Sequence, residues 1–256
     1  MTENYGFFFG AGKPQLNNEF RILSNKDKSD KEYEYLIFTD SKGNGEENFY
    51  SWTDQLIDRL KNKSISFLLI TRPKEMTVFF SLINFLNNND DIKFKYLITN
   101  IGFVDTTPKK KEFINDIFDQ NPFNNKLTKT PLCDYLLNSG EVSTLYTVNY
   151  DSVTFKIAEI LSKRFNEIYQ IGTFEFSKNI KIERKRPDEF YDQLKLANEL
   201  LLKIQSYSEN INYIDVRPYI SVQEDESDIS FDAVHFTQSG HDLVMSICLN
   251  HIVLIS

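Results

Sequence analysis

The chain has 256 residues, of which 41% are hydrophobic and 26% charged, with a formal net charge of −8 at pH 7. This composition is that of a globular protein and excludes a fully disordered chain, and no stretch approaches the roughly 18 apolar residues of a membrane span. The acidic balance lacks the basic surface that unspecific binding to nucleic acid requires, so we predict neither a nucleic-acid partner nor a membrane span.

Apolar segments of strand and helix type alternate along most of the chain. We interpret residues 1–33 as an N-terminal extension and residues 34–256 as one domain. The predicted elements are strands over 33–38, 66–70, 94–98, 168–174 and 212–216, and helices that begin after Ser51 and cover 76–86, 152–165, 188–206 and 240–254. This alternation is typical of parallel β-α-β crossovers. We therefore predict an α/β fold, a three-layer α/β/α sandwich of flavodoxin-like type with a mainly parallel central sheet.

The middle of the chain, residues 106–150, does not follow this alternation and contains three prolines. We interpret it as helical pieces joined by long loops, which form a candidate cap over a site. Two short basic runs, 109–111 and 181–186, are expected to be solvated surface charges.

The cysteines and histidines do not form a metal-binding pattern. Cys133 and Cys248 are far apart and belong to no Cys-x-x-Cys or Cys/His motif, so they predict neither a disulfide framework nor a zinc site. The three histidines have no supporting set of ligands, and we predict no metal and no cofactor. The N-terminus has no basic segment and too short an apolar run for a signal peptide, so a cytoplasmic location is expected.

A carboxylate and a histidine lie close together in the C-terminal region. Asp232 precedes His235 by three residues, in a polar loop just before the last predicted helix. A histidine that acts as a base needs a partner that fixes its tautomer and its orientation, and an aspartate in the same loop provides this at little entropic cost. This pair is the first candidate for chemistry in the chain.

Two polar residues follow predicted strands. Ser41 comes shortly after the strand over 33–38, and Asn100 comes directly after the strand over 94–98. In open parallel sheets, ligands bind at the carboxyl ends of the strands. The sequence therefore predicts a site that contains Ser41 and Asn100.

These segments together resemble the signature blocks of the SGNH/GDSL family of serine esterases and acyltransferases. The first block of the family is a strand that ends in Gly-Asp-Ser, followed by a glycine-bearing loop and a helix that often opens with Ser-Trp. Here the corresponding segments are 39–41, with Thr39 in place of the glycine, and 51–52. The last block is Asp-x-x-His followed by Phe-Thr-x-x-Gly-His, which matches 232–241. Order and spacing agree from Tyr35 to the C-terminal helix.

The resemblance implies a role for each matching residue. Ser41 would be the nucleophile, His235 the base that takes its proton, and Asp232 the group that orients His235. The implied activity is the removal or transfer of a small acyl group, expected to be acetyl, on a small polar or carbohydrate ester through an acyl-enzyme. The alternative is a weak or inactive SGNH-like domain that binds a glycan or a protein partner. The sequence does not indicate an oligomeric state.

In this family the reaction's oxyanion is bound by the serine N–H, a glycine N–H in the second block and an asparagine in the third. No glycine lies between Gly45 and Gly102, so the second-block segment 71–75 departs from the pattern. The third block can be aligned with either Asn100 or Val104 in the oxyanion position, and Val104 would remove the donor. We prefer Asn100, because it directly follows the apolar strand, and assign the oxyanion hole to Ser41 and Asn100. The departures favour the inactive alternative, whereas the intact serine, aspartate and histidine oppose it.

Overall fold

The computed structural model describes residues 21–27, 29–44, 49–71, 78–124, 126–136, 140–181, 186–220, 225–252 and 254. Its strands are β1 (Arg21–Ser24), β2 (Glu32–Thr39), β3 (Phe67–Thr71), β4 (Lys93–Thr99), β5 (Lys109–Lys110), β6 (Thr128–Leu136), β7 (Val142–Asn149), β8 (Glu167–Ile171) and β9 (Ile211–Ile214). Its α-helices are α1 (Trp52–Asn62), α2 (Val78–Asn88), α3 (Phe103–Thr106), α4 (Lys111–Asp119), α5 (Thr154–Arg164), α6 (Asp188–Gln205), α7 (Glu226–Ile229) and α8 (Gln238–His251). Short 3₁₀ turns cover Ser41–Gly43 and Arg217–Tyr219. Among these helices, none is long and apolar enough to cross a membrane.

The central sheet has the strand order β1-β3-β2-β4-β8-β9. All neighbouring pairs are parallel except β1 with β3, which is antiparallel. Counted among themselves, the five parallel strands follow the order 2-1-3-4-5 of flavodoxin-like sheets. The predicted fold class is confirmed. The antiparallel edge strand β1 comes from the predicted N-terminal extension, of which residues 1–20 lie outside the described part.

Two hydrophobic clusters cover opposite faces of this sheet. Leu36 and Phe38 of β2 pack in one cluster with α2 and α5, whereas Tyr35 and Ile37 pack in the other with α1 and α8. Successive side chains of a strand point to opposite faces, so an unbroken apolar run such as β2 is buried on both sides. The three predicted layers follow from this pattern.

The register of the sheet places two loop ends side by side. β2 and β4 are neighbours, and Phe38 is paired with Thr99. The residues that follow, Asp40 and Asn100, therefore leave the sheet at the same edge. The chain order of the strands reverses between β2 and β4, and ligands bind at such a point in open α/β sheets.

The segment between β4 and α5 differs from the prediction of helical pieces joined by long loops. It contains the helix α4 and a second sheet with the antiparallel order β5-β7-β6. The sequence of β7, Val-Ser-Thr-Leu-Tyr-Thr-Val-Asn, is rich in the β-branched and aromatic residues that favour strands. The role of residues 106–150 as a cap stays a prediction.

The interpretation of the 109–111 run as solvated was wrong for Lys109, whose side chain is buried. Its ammonium group donates hydrogen bonds to the carbonyl oxygens of Asp105, at 3.4 Å, and Thr107, at 2.9 Å. These carbonyls lie at the end of α3, where helical carbonyl groups lack intrahelical partners and attract a cation. Burial lowers the pKa of Lys109 to about 8.

Candidate active site

The turn that presents Ser41 begins where β2 ends. The Asp40 carboxylate accepts the backbone N–H of Lys42 at 2.9 Å and caps the 3₁₀ turn Ser41–Gly43. A Cβ atom added at Gly43 would lie 2.2 Å from Oγ1 of Thr39, so this position requires glycine. The tight turn leaves Ser41 at the carboxyl edge of the sheet.

Ser41, His235 and Asp232 form one hydrogen-bonded series. Oγ of Ser41 lies 2.9 Å from Nε2 of His235, and Nδ1 of His235 lies 2.9 Å from Oδ2 of Asp232. The Asp232 side chain is 10% exposed and the His235 side chain 27%. The structure thus brings together the three residues that the sequence singled out, although 194 positions separate Ser41 from His235.

The charge of Asp232 fixes the tautomer of His235. Burial acts to raise the pKa of Asp232, but hydrogen bonds from His235 and the nearby positive charges hold it well below its usual range. An ionised carboxylate only accepts hydrogen bonds, so Nδ1 of His235 carries the proton that is shared with Asp232. In the neutral ring Nε2 is then an acceptor and can take the hydroxyl proton of Ser41.

The loop between Asp232 and His235 is held in a strained conformation. Ala233 is buried and has a φ of 64°, in the left-handed region that non-glycine residues seldom adopt. Hydrogen bonds close the loop at its base, where Oγ of Ser230 donates to the carbonyl oxygen of His235 at 2.7 Å. Such backbone outliers cluster at functional sites, where the surrounding structure holds them.

Asn100 lies against the turn of Ser41. Its Oδ1 accepts the backbone N–H of Asp40 at 3.2 Å, and the side chain is buried, with 3% of the residue exposed. Because a backbone N–H can only donate, Oδ1 must face Asp40 and Nδ2 must point elsewhere. Nδ2 is buried and has no hydrogen-bond partner among the described residues.

The second alignment of the third block is not supported by the geometry. Val104 lies in α3 and packs against the hydrophobic cluster of α2 and α5. Most of the second-block segment, residues 72–75, lies outside the described part of the chain. Of the two alignments, the structure places only Asn100 beside the turn of Ser41.

The comparisons with known proteins support this arrangement at the level of the fold. No family model matches the sequence, and no curated protein sequence matches it. The solved structures do match. Axe2, an acetylxylan esterase from Geobacillus stearothermophilus, has a TM-score of 0.52 at 12% identity, over 87% of this chain and 95% of that chain. LAE5, an alpha/beta hydrolase from the metagenome of Lake Arreo, Spain, has a TM-score of 0.51 at 12% identity, over 85% and 94%.

The chain has the fold of an SGNH hydrolase. The fold that the family resemblance implied is therefore confirmed. Three of the matching Axe2 structures are described as catalytic mutants, in which a serine, an aspartate or a histidine is replaced by alanine. In that enzyme, as in the loop of this chain, the aspartate lies three positions before the histidine.

A buried ion pair underlies the turn of Ser41, and sequence reasoning missed it. The ammonium group of Lys42 lies 3.6 Å from Oδ2 of Asp40 and donates to Oγ1 of Thr173 at 3.1 Å. It also lies 5.2 Å from the ring centroid of Phe103. Burial raises the pKa of Asp40 and lowers the pKa of Lys42, while the attraction between the two opposes both shifts. The pair ties the turn after β2 to the segment that follows β8.

Sequence reasoning also missed Arg186. Its run was predicted to be solvated, but its side chain is only 13% exposed and forms an ion pair with Asp232 at 2.8 Å. The prediction was wrong here because the arginine contacts a residue 46 positions away, and no local spacing marks such a pair.

His241 lies in the last helix and contacts the start of α1. It is buried, and its Nδ1 accepts the backbone N–H of Trp52, at the start of α1, at 3.4 Å. Burial lowers the pKa of His241 to about 4, so the ring is neutral when it accepts this hydrogen bond. It therefore holds α1 and α8 together rather than acting as a base.

The free energy of unfolding should fall as the pH is lowered from 6.5 to about 4, because the unfolded chain takes up a proton at His241 in this range and the folded chain does not. The expected loss is up to about 3 kcal/mol. His241→Asn keeps a side-chain acceptor but does not titrate. The dependence of its free energy of unfolding on pH should therefore be less steep between pH 6.5 and about 4. Urea unfolding across the range tests this, and an unchanged slope in His241→Asn would contradict it.

Proposed function

We propose that the protein is a serine esterase that removes a small acyl group, with acetyl as the preferred group, from a polar or carbohydrate ester. The observation that carries the proposal is the hydrogen-bonded series Asp232–His235–Ser41, with both bonds at 2.9 Å. The shared fold with acetylxylan esterases supports the acetyl group and the carbohydrate acceptor as the first choices.

In the proposed reaction Oγ of Ser41 attacks the ester carbonyl carbon while its proton passes to Nε2 of His235. Asp232 stabilises the imidazolium that forms. The tetrahedral intermediate collapses, the alcohol leaves with the proton from His235, and the acyl group stays on Ser41. Water then attacks the acyl-enzyme with His235 as the base, which releases the carboxylic acid and restores Ser41.

The negative oxygen of the intermediate needs donors that are already in place. We assign this role to the backbone N–H of Ser41 and to Nδ2 of Asn100. The Asn100 amide is held by its bond to Asp40, and Nδ2 is buried without a partner among the described residues. A donor that is fixed before the substrate binds stabilises the oxyanion without reorganisation.

Hydrolysis is the preferred outcome for the acyl-enzyme. An acyltransferase uses the same intermediate but must exclude water and bind a second hydroxyl compound. The His235 side chain is 27% exposed, so water reaches the base directly. The partial exposure of the site favours the esterase over the transferase.

The proposed activity is tested by acetate release from acetylated xylo-oligosaccharides and by the hydrolysis of p-nitrophenyl acetate and octanoate. We expect kcat/KM to be higher for the acetate ester than for the octanoate ester, and acetate to be released from the oligosaccharides. Rates no higher than those of Ser41→Ala would overturn the proposal and favour the alternative, an SGNH-like domain that binds a glycan or a protein without reacting.

Asn100→Ala should lower kcat about 100- to 1000-fold and change KM little, because the lost donor acts on the transition state. Asn89→Ala is the matched control, since Asn89 is also buried but donates to the carbonyl oxygen of Phe85 in α2. Steady-state kinetics on both variants measure the effect. A kcat of Asn100→Ala within about threefold of the Asn89→Ala value would show that the amide does not bind the oxyanion.

A further inference from the structure

The Asp232 carboxylate accepts four hydrogen bonds from three residues. Its Oδ1 accepts the backbone N–H groups of Val234, at 2.9 Å, and His235, at 2.7 Å. Its Oδ2 lies 2.9 Å from Nδ1 of His235 and 2.8 Å from Nη2 of Arg186. The arginine and the histidine ring therefore share one carboxylate oxygen.

Arg186 is held in place on two further sides. Its Nε donates to the backbone carbonyl oxygen of Asp232 at 3.3 Å, so the guanidinium group contacts both the side chain and the main chain of one residue. The guanidinium carbon lies 4.7 Å from the ring centroid of Phe190, which is itself buried. A planar group with several donors suits this combination of two hydrogen bonds and ring stacking, whereas lysine does not.

We propose that Arg186 is a positioning residue of the site, which fixes the Asp232 carboxylate and offsets its charge, so that His235 stays neutral and able to accept the Ser41 proton at lower pH. This inference rests on the proposed function. The arginine contacts Asp232 and the ring of Phe190, and its role in the site is exerted through Asp232.

The other charged groups around His235 do not replace this cation. Asp40, after β2, acts electrostatically on His235, but its charge is balanced by its buried partner Lys42. His241, in α8, also faces His235 and is neutral because it is buried. Among the residues that the structure describes, Asp232 is the remaining anion that contacts His235, and Arg186 is the cation that is bonded to it.

Two substitutions separate the charge of Arg186 from its geometry. R186M removes the charge and both hydrogen bonds. Both losses stabilise the imidazolium form of His235, so the acid limb of the kcat/KM profile should move to higher pH by about one unit. Misplacement of the carboxylate should also lower kcat about 10- to 100-fold. R186K keeps the positive charge but lacks the planar guanidinium group with its several donors. The acid limb of its kcat/KM profile should therefore stay near the wild-type position, while kcat falls.

Arg217 provides the matched control, because it forms hydrogen bonds of 2.7 and 2.6 Å with Asp215, in the segment that follows β9, and pairs with Glu175 at 3.3 Å. R217M removes an arginine–aspartate pair and should leave both the acid limb and kcat unchanged. Any of three results would overturn the inference: the acid limb of the kcat/KM profile does not move in R186M, it moves equally in R217M, or R186K keeps the wild-type kcat. R186K carries the test if R186M does not fold.

A second measurement keeps this inference separate from the esterase proposal. The His235 ring resonances, assigned by comparison with His235→Ala, can be titrated by NMR in the resting protein without any substrate. The expected result is a higher midpoint in R186M than in wild type and R186K. A wild-type protein that releases no acetate would overturn the proposed function only. Equal midpoints of the His235 titration in wild type, R186M and R186K would overturn the electrostatic role of Arg186.

Discussion

Ser41→Ala and His235→Ala should each lower kcat/KM for acetyl esters by at least about 10⁴-fold, because the serine hydroxyl is a poor nucleophile until the histidine takes its proton. The two groups act as one unit, so kcat/KM of the double variant should be no lower than that of the less active single variant. Steady-state kinetics on p-nitrophenyl acetate measure all three.

Ser162→Ala is the control for this experiment, because Ser162 is partly buried on α5 and donates to the backbone carbonyl of Glu159 in its own helix. It should keep the wild-type rate. Two results would contradict the assignment: a Ser41→Ala variant within about tenfold of wild type, or single-variant losses that multiply in the double variant.

Lys42→Met is expected to lower the free energy of unfolding by about 3–5 kcal/mol, the largest stability effect of a single substitution in this site. The change leaves the Asp40 carboxylate buried without its cation, and burial of an unpaired charge is costly. Urea unfolding at neutral pH measures the loss. The double variant Asp40→Asn with Lys42→Met should recover part of it, because both charges are then absent.

Lys163→Met provides the matched control for the ion pair. Lys163 also pairs with a carboxylate, Glu159, at 2.6 Å, but both side chains are largely exposed on α5. Surface pairs of this kind contribute little, so this variant should stay within about 0.5 kcal/mol of wild type. A Lys42→Met loss as small as the Lys163→Met loss would show that the buried pair does not stabilise the turn.

Most of the central sheet could be predicted from local sequence, because strands such as β2 and β3 are buried on both faces and appear as continuous apolar runs. The edge strand β1 is half exposed and was not predicted. β2 is the clearest case, with Leu36 and Phe38 on one face and Tyr35 and Ile37 on the other. The segments that follow these strands must lie at one edge of a parallel sheet. The hydrogen-bonded contact between Ser41 and His235 agrees with the position that the sequence motifs predicted.

The β6–β7 hairpin could not be predicted in the same way. Its strands are only partly buried, so hydrophobic periodicity is weak, and Pro131 within β6 argued against a strand. The register shifts between Pro131 and Cys133, which accommodates the proline at an irregularity of an outer strand. The strand propensity of β7 was present in the sequence, but a pairing partner was needed to interpret it.

Buried charges were the other source of error. Lys42 and Arg186 were absent from the predicted site because charged residues are mostly exposed. Their burial depends on partners distant in the chain, Thr173 for Lys42 and Asp232 for Arg186. A single sequence does not reveal such pairs, whereas the local pair Asp232 and His235 was visible through its spacing.

The choice between Asn100 and Val104 shows how the fold resolves a local ambiguity. Both residues follow β4 closely, and the motif alone allowed either alignment. The pairing of Phe38 with Thr99 places the first residue after β4 beside Thr39, the last residue of β2, where the turn of Ser41 begins. Only Asn100 meets this condition, and its amide contacts the backbone of Asp40.

We have proposed that Ser41 is a nucleophile activated by His235. Treatment of the protein with a serine-directed fluorophosphonate, followed by peptide mass spectrometry, tests it without any assumption about the substrate. We expect an adduct on Ser41 in the wild-type protein, no adduct on that peptide in Ser41→Ala, and greatly slowed labelling in His235→Ala. No adduct under conditions that label a known serine esterase, or labelling of Ser41 that is equally fast in His235→Ala, would contradict it.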